Sequence, residues 1–426
     1  MTEMHEPTVT EPSSTQDPVR WARRNGPDEA VPELAALLNG VDIDPGVRSR
    51  RDAGEVYRVR SPLGHEATLF SRYDDVRAVH GDAERLRLDA IGPSAGLAAA
   101  GVDDEDMKHR RAGRLLMLDP PEHTRLRRLV TATFTVRRAR ALAPRIQAIV
   151  NEHLDAMAAT GPPTDLVSAF ALPVPSLVIC ELLGVPYADR AEFGARSNRF
   201  FDTTMSPRER VRLDAEADAY MQALVARHRQ NPGDDLLSLL IREHGSGALS
   251  DEELVGLADL LLIAGHETTA NVISLGTLAL LHHPDQLALV RDDPSTVHNA
   301  IEELLRFTSV LHSGFVRVAV EDTTIGRHQV RRGDHVVTSL HAANRDPTLL
   351  ADGDELDVTR ARCPHLAFGH GIHHCLGATL ARLELQLALP ALLQRFPGLR
   401  LAAPETTPDF KDRALIHGLR SLPVTW

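Results

Sequence analysis

The sequence predicts a mainly α-helical fold with small β-sheets. Apolar residues recur at helical spacing in long segments, as in ATLARLELQLALPALL at residues 378–393. Strand-like runs are few and short, and no segment after residue 30 is long or polar enough to act as a linker. We therefore expect one large domain over residues 26–426, preceded by a disordered Pro-, Ser- and Thr-rich tail at residues 1–25.

The predicted elements follow a definite order along the chain. Val56–Arg60 and Ala67–Ser71 alternate like strands and predict a hairpin around SPLGHE. Helical patterns then dominate as far as the strand-like runs Phe315–Val320 and His335–Ser339. Residues 344–374 are irregular and lead into a final helix. Because loops of that length in compact proteins are usually functional, this stretch is the first place to look for a site.

Composition excludes several classes of protein. The 426 residues carry a net charge of −12, whereas a general nucleic-acid binder needs clustered positive charge. Three cysteines are too few for a disulfide framework, which favours a reducing compartment. The N-terminus has no apolar leader, and the 14-residue uncharged run Thr268–Leu281 is shorter than the roughly 20 residues of a membrane span. We expect a cytoplasmic protein that binds neither nucleic acid nor membrane.

The irregular stretch ends in LAFGHGIHHCLG at residues 366–377, where three glycines surround Cys375. Glycine allows backbone conformations closed to other residues and close approach to a ligand. The helical pattern begins just after Cys375, and a helix N-terminus favours a thiolate. Such a thiolate is a metal ligand or a nucleophile. The alternatives are an inert buried cysteine and a zinc site with the nearby histidines, although no second Cys/His pair at zinc spacing is visible.

The string F-G-x-G-x-H-x-C-x-G, Phe368 to Gly377, resembles the haem-binding loop of the cytochrome P450 family. The resemblance extends from about residue 30 to the C-terminus and is strongest to the soluble bacterial branch. It implies a single large cytochrome P450-type fold. It also implies haem b as the cofactor, with Cys375 as the axial ligand of the iron and with Phe368, Gly369, His373 and Gly377 in contact with the haem.

A second motif, AGHETT at residues 264–269, lies within the longest apolar helical run. An acid inside a buried helix is costly unless it is used, whereas the threonines can bond back to helix carbonyls. By the resemblance, Glu267 and Thr268 deliver protons to bound dioxygen. Ala264 and Gly265 would line the oxygen pocket.

A third motif, Glu303-Leu304-Leu305-Arg306, places an acid and a base on one helix face. From composition, a surface ion pair worth about 0–1 kcal/mol would be the ordinary interpretation. The resemblance instead implies a buried structural network that holds the cysteine loop, with Arg360 as its third member and Arg345 as the alternative.

The fourth motif is LDPPEHTRLRRLV at residues 118–130, where we expect Asp119 to cap a helix. His123 and Arg127 are four residues apart and therefore face the same way. By the resemblance they bind the haem propionates together with Arg317 and His373.

Further arginines near this helix form a basic patch on an otherwise acidic protein. The patch comprises Arg125, Arg128, Arg137 and Arg138. Charge runs are usually only solvated faces. By the resemblance the patch borders the cysteine side of the haem, where it would attract an acidic ferredoxin that receives electrons from NAD(P)H through a ferredoxin reductase.

Together these motifs predict a haem-thiolate monooxygenase that inserts one oxygen atom from O2 into a bulky hydrophobic small molecule by hydroxylation or epoxidation. The alternatives are a peroxide-driven haem-thiolate hydroxylase and a non-catalytic haem-binding sensor, neither of which needs the acid–alcohol pair. By the resemblance the substrate pocket draws on five segments: Leu86–Leu118, Phe200–Met205, Leu262–Ala264, Val310–Val316 and Ala414–Ile416. Its candidate residues are Ile263, Ala264, Val310, His312, Ser313 and Leu415.

Overall fold

The computed structural model describes residues 31–37, 42–61, 64–132, 134, 136–186, 189, 205–245, 247–405, 407–411 and 415–426. The predicted tail at residues 1–25 lies outside the described residues. In the part of the chain that the structure describes, no helix combines the length and the apolar character needed to cross a bilayer.

The fold is mainly α-helical, as the sequence predicts. In chain order the described helices are α1 (Pro45–Ala53), α2 (Tyr73–Gly81), α3 (Ala95–Ala99), α4 (Asp104–Arg111), α5 (Glu122–Thr131), α6 (Val136–Ala141), α7 (Ala143–Thr160), α8 (Pro173–Leu183), α9 (Pro207–Gln230), α10 (Leu236–Gly245), α11 (Asp251–His282), α12 (Pro284–Asp292), α13 (Val297–Thr308), α14 (Leu340–Asn344) and α15 (Ala378–Arg395).

The strands are short. They are β1 (Tyr57–Arg60), β2 (Glu66–Phe70), β3 (Leu86–Arg87), β4 (Thr164–Asp165), β5 (Arg317–Ala319), β6 (Thr323–Ile325), β7 (His328–Val330), β8 (His335–Thr338), β9 (Arg400–Leu401), β10 (Asp409–Phe410), β11 (Leu419–Ser421) and β12 (Pro423–Thr425).

The 32-residue helix α11 is the centre of the packing. Its N-terminus is closed by a capping box between Ser250 and Glu253, which satisfies backbone donors of its first turn. Helices α8, α9 and α15 pack against it. The two largest hydrophobic clusters both include residues of α8 and α11, such as Val178 and Ile273 in one and Ile179 and Leu262 in the other. Helix α11 is therefore buried on nearly all sides.

The main sheet has the strand order β1-β2-β8-β5-β3. The predicted hairpin is confirmed: β1 and β2 are antiparallel, with Tyr57 opposite Leu69 and Arg60 opposite Glu66. The two-stranded β10–β11 hairpin lies apart from this sheet and contacts α11 through β11. It thereby brings the end of the chain onto the helix that carries the acid–alcohol motif.

Candidate functional site

The loop before α15 holds Cys375 by backbone geometry. The Cys375 N–H donates to the Phe368 carbonyl oxygen at 2.8 Å. Gly369 and Gly371 have φ values of +72° and +71°, a region that favours glycine. A Cβ atom on Gly371 would lie 2.4 Å from the carbonyl oxygen of His80, so this backbone contact also requires glycine. The loop is thus fixed by features that the Gly-rich sequence encodes directly.

The Cys375 side chain is exposed, and charged and amide groups of the chain lie around its sulfur. Burial by these surroundings raises the pKa of the Cys375 thiol, and the N–H group of Gly377 opposes that shift. The guanidinium groups of Arg127 and Arg382, and then the N–H of Ala378, act in the same direction as Gly377. Positive charge and amide donors around one accessible sulfur suit a thiolate that binds a metal.

Helix α5 presents two of the predicted anion-binding residues to this loop. His123 is buried, and its ring lies 4.4 Å from the ring of His373 between centroids. Arg127 donates to the His374 carbonyl oxygen at 2.6 Å. Arg317 is also buried and donates to the backbone of β3. The structure therefore brings His123, Arg127 and His373 together at one side of the cysteine loop.

Several polar atoms here lack a hydrogen-bond partner within the described chain: both ring nitrogens of His123 and Nε2 of His373. Burial, followed by the effects of His373 and Arg127, lowers the pKa of His123 to about 4. A buried polar group without a partner is unfavourable unless a ligand satisfies it. The donors fit the carboxylates of haem, so the residues present are compatible with that cofactor.

The expectation that Asp119 caps α5 is wrong. The helix begins at Glu122 without a side-chain cap, while the Asp119 carboxylate accepts the N–H groups of Leu88 and Asp89 at 2.6 and 2.9 Å. Its other oxygen lies 3.7 Å from His373 Nε2. Burial opposes ionisation, but His373 and the two amides hold the pKa of Asp119 below its usual value. Asp119 is therefore an anionic neighbour of His373 and His123, which its position in the sequence did not reveal.

Helix α11 carries a small accessible notch. Over residues 261–280 every residue is buried except Ala264, Gly265 and Thr268. Thr268 Oγ1 donates to the Ala264 carbonyl oxygen at 2.8 Å, as threonines in helices often do. A Cβ atom on Gly265 would lie 2.8 Å from the Ile179 side chain, so close packing against α8 accounts for this glycine. Ala264 and Thr268 form the face of the notch.

Glu267, by contrast, is buried and paired. Its Oε2 accepts a hydrogen bond from Lys411 Nζ at 2.7 Å and another from Asn271 Nδ2 at 3.0 Å. Its Oε1 has no hydrogen-bond partner among the described residues. Sequence reasoning identified the acid but missed Lys411, which reaches it from the segment after β10.

Glu303, Arg306 and Arg360 lie together as the resemblance implies. Arg306 donates to both oxygens of Glu303 at 2.7 Å, and both side chains are 0% exposed. Arg360 Nε lies 3.2 Å from Glu303 Oε1. Arg306 also donates to the carbonyl oxygens of Asn344, at the end of α14, and of Gly353 and Glu355 in the irregular stretch that follows. A surface ion pair is therefore excluded.

The substrate-pocket candidates do not share one environment. Ile263 and Val310 are buried. His312 is only 1% exposed, and its ring stacks between those of His341 and His417 at centroid distances of 4.3 and 4.2 Å. Other histidine side chains therefore cover both faces of the His312 ring, and its contact with a substrate stays a prediction.

Two candidates remain more accessible. Ser313 and Leu415 are half-buried, and Ser313 forms an isolated bridge to Ser339. In the segment Phe200–Met205, residues 200–204 lie outside the described residues.

The four arginines of the predicted basic patch lie on α5 and α6. Arg128 on α5 and Arg137 and Arg138 on α6 are exposed. Arg125 forms an ion pair with Glu253 at the start of α11. The role of these arginines in binding a partner stays a prediction.

Comparison with known proteins identifies the family. The cytochrome P450 family model matches residues 53–419. The chain is 46% identical over 392 residues to mycinamicin IV hydroxylase/epoxidase of Micromonospora griseorubida, covering 91% of this chain and 97% of that protein. It is 50% identical over 379 residues to pentalenic acid synthase of Streptomyces avermitilis, covering 88% of this chain and 92% of that protein.

The fold agrees with solved structures. The crystal structure of CYP105P1 in complex with filipin I superposes with a TM-score of 0.85 at 40% identity, covering 93% of this chain and 99% of that chain. The family uses a haem-thiolate centre and dioxygen. With its family match, its relatives named as hydroxylases and its P450 fold, the chain belongs to the cytochrome P450 family and is a P450 monooxygenase.

Proposed function

We propose that this protein inserts one oxygen atom from O2 into a bulky hydrophobic natural product, by hydroxylation or epoxidation. The observation that carries the proposal is the notch of Ala264 and Thr268 beside the buried acid Glu267, within residues 261–280 of α11, which are otherwise buried apart from Gly265. The names of the relatives support the substrate class, since they include a mycinamicin hydroxylase/epoxidase and a pentalenic acid synthase. Residues 26–426 act as one domain in this proposal, because α8 and α11 contribute to both large clusters.

The cofactor in this proposal is haem b, with Cys375 as its axial ligand. His123, Arg127, Arg317 and His373 would hold its propionates. The loop residues Phe368, Gly369 and Gly377 would form the surface beneath the ring. When bound, the haem supplies dioxygen activation, and the thiolate favours O–O cleavage. The polypeptide supplies binding, orientation and proton control.

Electrons come, in this proposal, from NAD(P)H through a ferredoxin reductase and a ferredoxin. The exposed arginines 128, 137 and 138 would attract an acidic ferredoxin. Cys180, Cys363 and Cys375, all within the described residues, form no disulfide bond, which fits a reducing compartment, and we propose the cytoplasm.

Replacing Thr268 with alanine tests the proposed reaction. Alanine preserves the helix, so haem and substrate binding should survive. Without the hydroxyl, proton delivery should fail and dioxygen should leave as hydrogen peroxide. Product formed per NAD(P)H consumed should fall by about 10²-fold or less, because water can replace part of a general acid.

Thr268→Ser and Thr269→Ala are the matched controls. Serine keeps the hydroxyl and should retain most of the coupling, and the buried Thr269 lies about 100° away around the helix. Peroxide is assayed in parallel with product. Normal coupling in Thr268→Ala with heavy uncoupling in Thr269→Ala would show that the assignment of Thr268 is wrong. If added hydrogen peroxide alone supported the same turnover as O2 with NAD(P)H, the peroxide-driven alternative would be favoured.

Removing Arg127 should weaken haem retention. A charge-assisted hydrogen bond contributes about 1.5–3 kcal/mol, and Arg127→Ala also removes the bond to the His374 carbonyl oxygen. Arg128→Ala is the control, since Arg128 is exposed on the same helix. Haem transfer to apomyoglobin measures the loss. Equal rates in the two variants would mean that the inward face of α5 has been misassigned.

Reversing the charge of Arg137 and Arg138 should slow reduction by ferredoxin. The steering attraction is screened over about 10 Å at 0.1 M salt, so the salt dependence of the rate should also weaken. Arg332→Glu, an exposed position after β7, is the control. Stopped-flow reduction at several salt concentrations provides the rates, and substrate affinity should not change. Unaltered reduction kinetics in the double variant would exclude this face as the docking surface.

A further inference from the structure

We propose that Lys411 is the proton donor that reloads Glu267, so that the β10–β11 hairpin connects the acid of α11 with solvent. The inference rests on the proposed function, in which Glu267 supplies protons at the notch. It assigns a positioning and relay role to a residue outside α11 and outside the cysteine loop.

The geometry links a buried group to an accessible one. The Glu267 side chain is 3% exposed, whereas that of Lys411, 2.7 Å away, is 20% exposed. Asn271 fixes the same carboxylate oxygen, Oε2, from one turn along the helix. The second oxygen, Oε1, has no hydrogen-bond partner among the described residues and remains available for onward transfer.

The hairpin is held firmly against the helix at this point. A Cβ atom on Gly418 would lie 1.8 Å from Asn271 Oδ1, so only glycine allows this approach. The Lys411 N–H donates to the Gly418 carbonyl oxygen at 2.8 Å. Lys411 therefore reaches Glu267 from a strand end that is hydrogen-bonded to the residue packed against α11.

The two histidines near this pair, His417 and His266, do not take the role of Lys411 as proton donor. Burial, and then the charge of Lys411, lowers the pKa of His417 to about 4. Burial lowers the pKa of His266 to about 4, and its Nδ1 contacts the Ser176 hydroxyl. Both imidazoles are thus neutral near pH 7, and Lys411 is the cation bonded to the acid.

The presence of a lysine, not an arginine, at position 411 also favours a role in proton transfer. Lys108 and Lys411 are the only lysines among the 47 Lys and Arg residues. Two other buried acids are paired with arginine instead, Asp259 with Arg114 and Glu303 with Arg306. A guanidinium stays protonated in proteins, whereas an ammonium group can release a proton. The Glu267 pair is therefore built from a cation that can take part in proton transfer.

The proposed proton transfer involves only Lys411, Glu267 and solvent. Lys411 Nζ gives a proton to Glu267 Oε2, which leaves a neutral amine and a neutral carboxylic acid. The carboxylic acid releases a proton toward the notch and becomes a carboxylate again. The amine takes a proton from solvent at its exposed side and returns to the ammonium form.

Lys411→Met and Lys411→Arg test the relay, with Lys108→Met as the control for the other lysine. Both Lys411 variants should lower product per NAD(P)H roughly tenfold and increase the solvent isotope effect, a smaller loss than a full general acid gives. Lys108→Met should match the parent. Full recovery in Lys411→Arg would reduce the role to an ion pair and overturn the relay.

Glu267→Gln separates this inference from the proposed function. If Glu267→Gln uncouples the reaction and Lys411→Met does not, the relay is wrong and the role of Glu267 stands. If Glu267→Gln couples normally, the proton-delivery role itself fails.

A spectroscopic readout does not depend on turnover. In protein labelled with ¹⁵N-lysine, only two side-chain signals arise. The paired Lys411 ammonium should exchange slowly enough to be observed near neutral pH, and its signal should disappear in Glu267→Gln. Survival of that signal in Glu267→Gln would overturn the proposed link.

Discussion

Replacing Cys375 with alanine is expected to abolish the red-shifted Soret band that thiolate ligation gives to the reduced carbon monoxide complex. The reason is that the protein loses the sulfur that the loop positions, and alanine offers no ligand atom. Monooxygenase activity should disappear with the band. Spectra of the reduced protein with carbon monoxide, recorded at equal haem content, measure the result.

Cys363→Ala and Cys180→Ala are the matched controls. Cys363 Sγ donates to Glu303 Oε2 at 3.3 Å, and burial raises the pKa of this thiol, as does the charge of Glu303. The Cys363 sulfur is thus bonded to a carboxylate, whose charge disfavours a thiolate, whereas amide and guanidinium groups around Cys375 favour one. Cys180 is buried in an apolar cluster. Retention of the band in Cys375→Ala, with its loss in Cys363→Ala, would contradict the ligand assignment.

Features encoded over short stretches of sequence could be predicted. The glycines of the cysteine loop, the helix after it and the β1–β2 hairpin each depend on residues close together in the chain. The acid and alcohol in α11 could be identified because a charge within an apolar helix is unusual. The resemblance then predicted that Glu303, Arg306 and Arg360 lie together, and the structure brings them together.

Pairings between distant segments could not be predicted from one sequence. Lys411 lies 144 residues after Glu267 in the sequence, just beyond the short strand β10. His312 is polar and was expected to face a ligand, yet two other histidines cover its ring faces. Asp119 precedes a helix like an N-cap, but amides near β3 bind its carboxylate instead. In each case a tertiary partner competes successfully with the local pattern.

Arg306→Met should be the most destabilising of the substitutions considered. It leaves the Glu303 carboxylate buried and removes a donor from the carbonyl oxygens of Asn344, Gly353 and Glu355. Breaking a buried ion pair from one side costs about 3–5 kcal/mol, a large share of the roughly 5–15 kcal/mol that stabilises a typical domain. The thermal midpoint and the yield of haem-containing protein should both fall sharply.

Two further variants keep the test decisive if Arg306→Met does not fold. Arg395→Met, at the end of α15, breaks the exposed ion pair with Asp155 on α7. It should lower the free energy of unfolding by less than about 1 kcal/mol. The double substitution Glu303→Leu with Arg306→Met removes both charges, so it should recover part of the stability that the single change loses. Thermal midpoints by circular dichroism compare the three. A midpoint for Arg306→Met equal to that of Arg395→Met would contradict the structural role, because the network would then contribute no more than a surface ion pair.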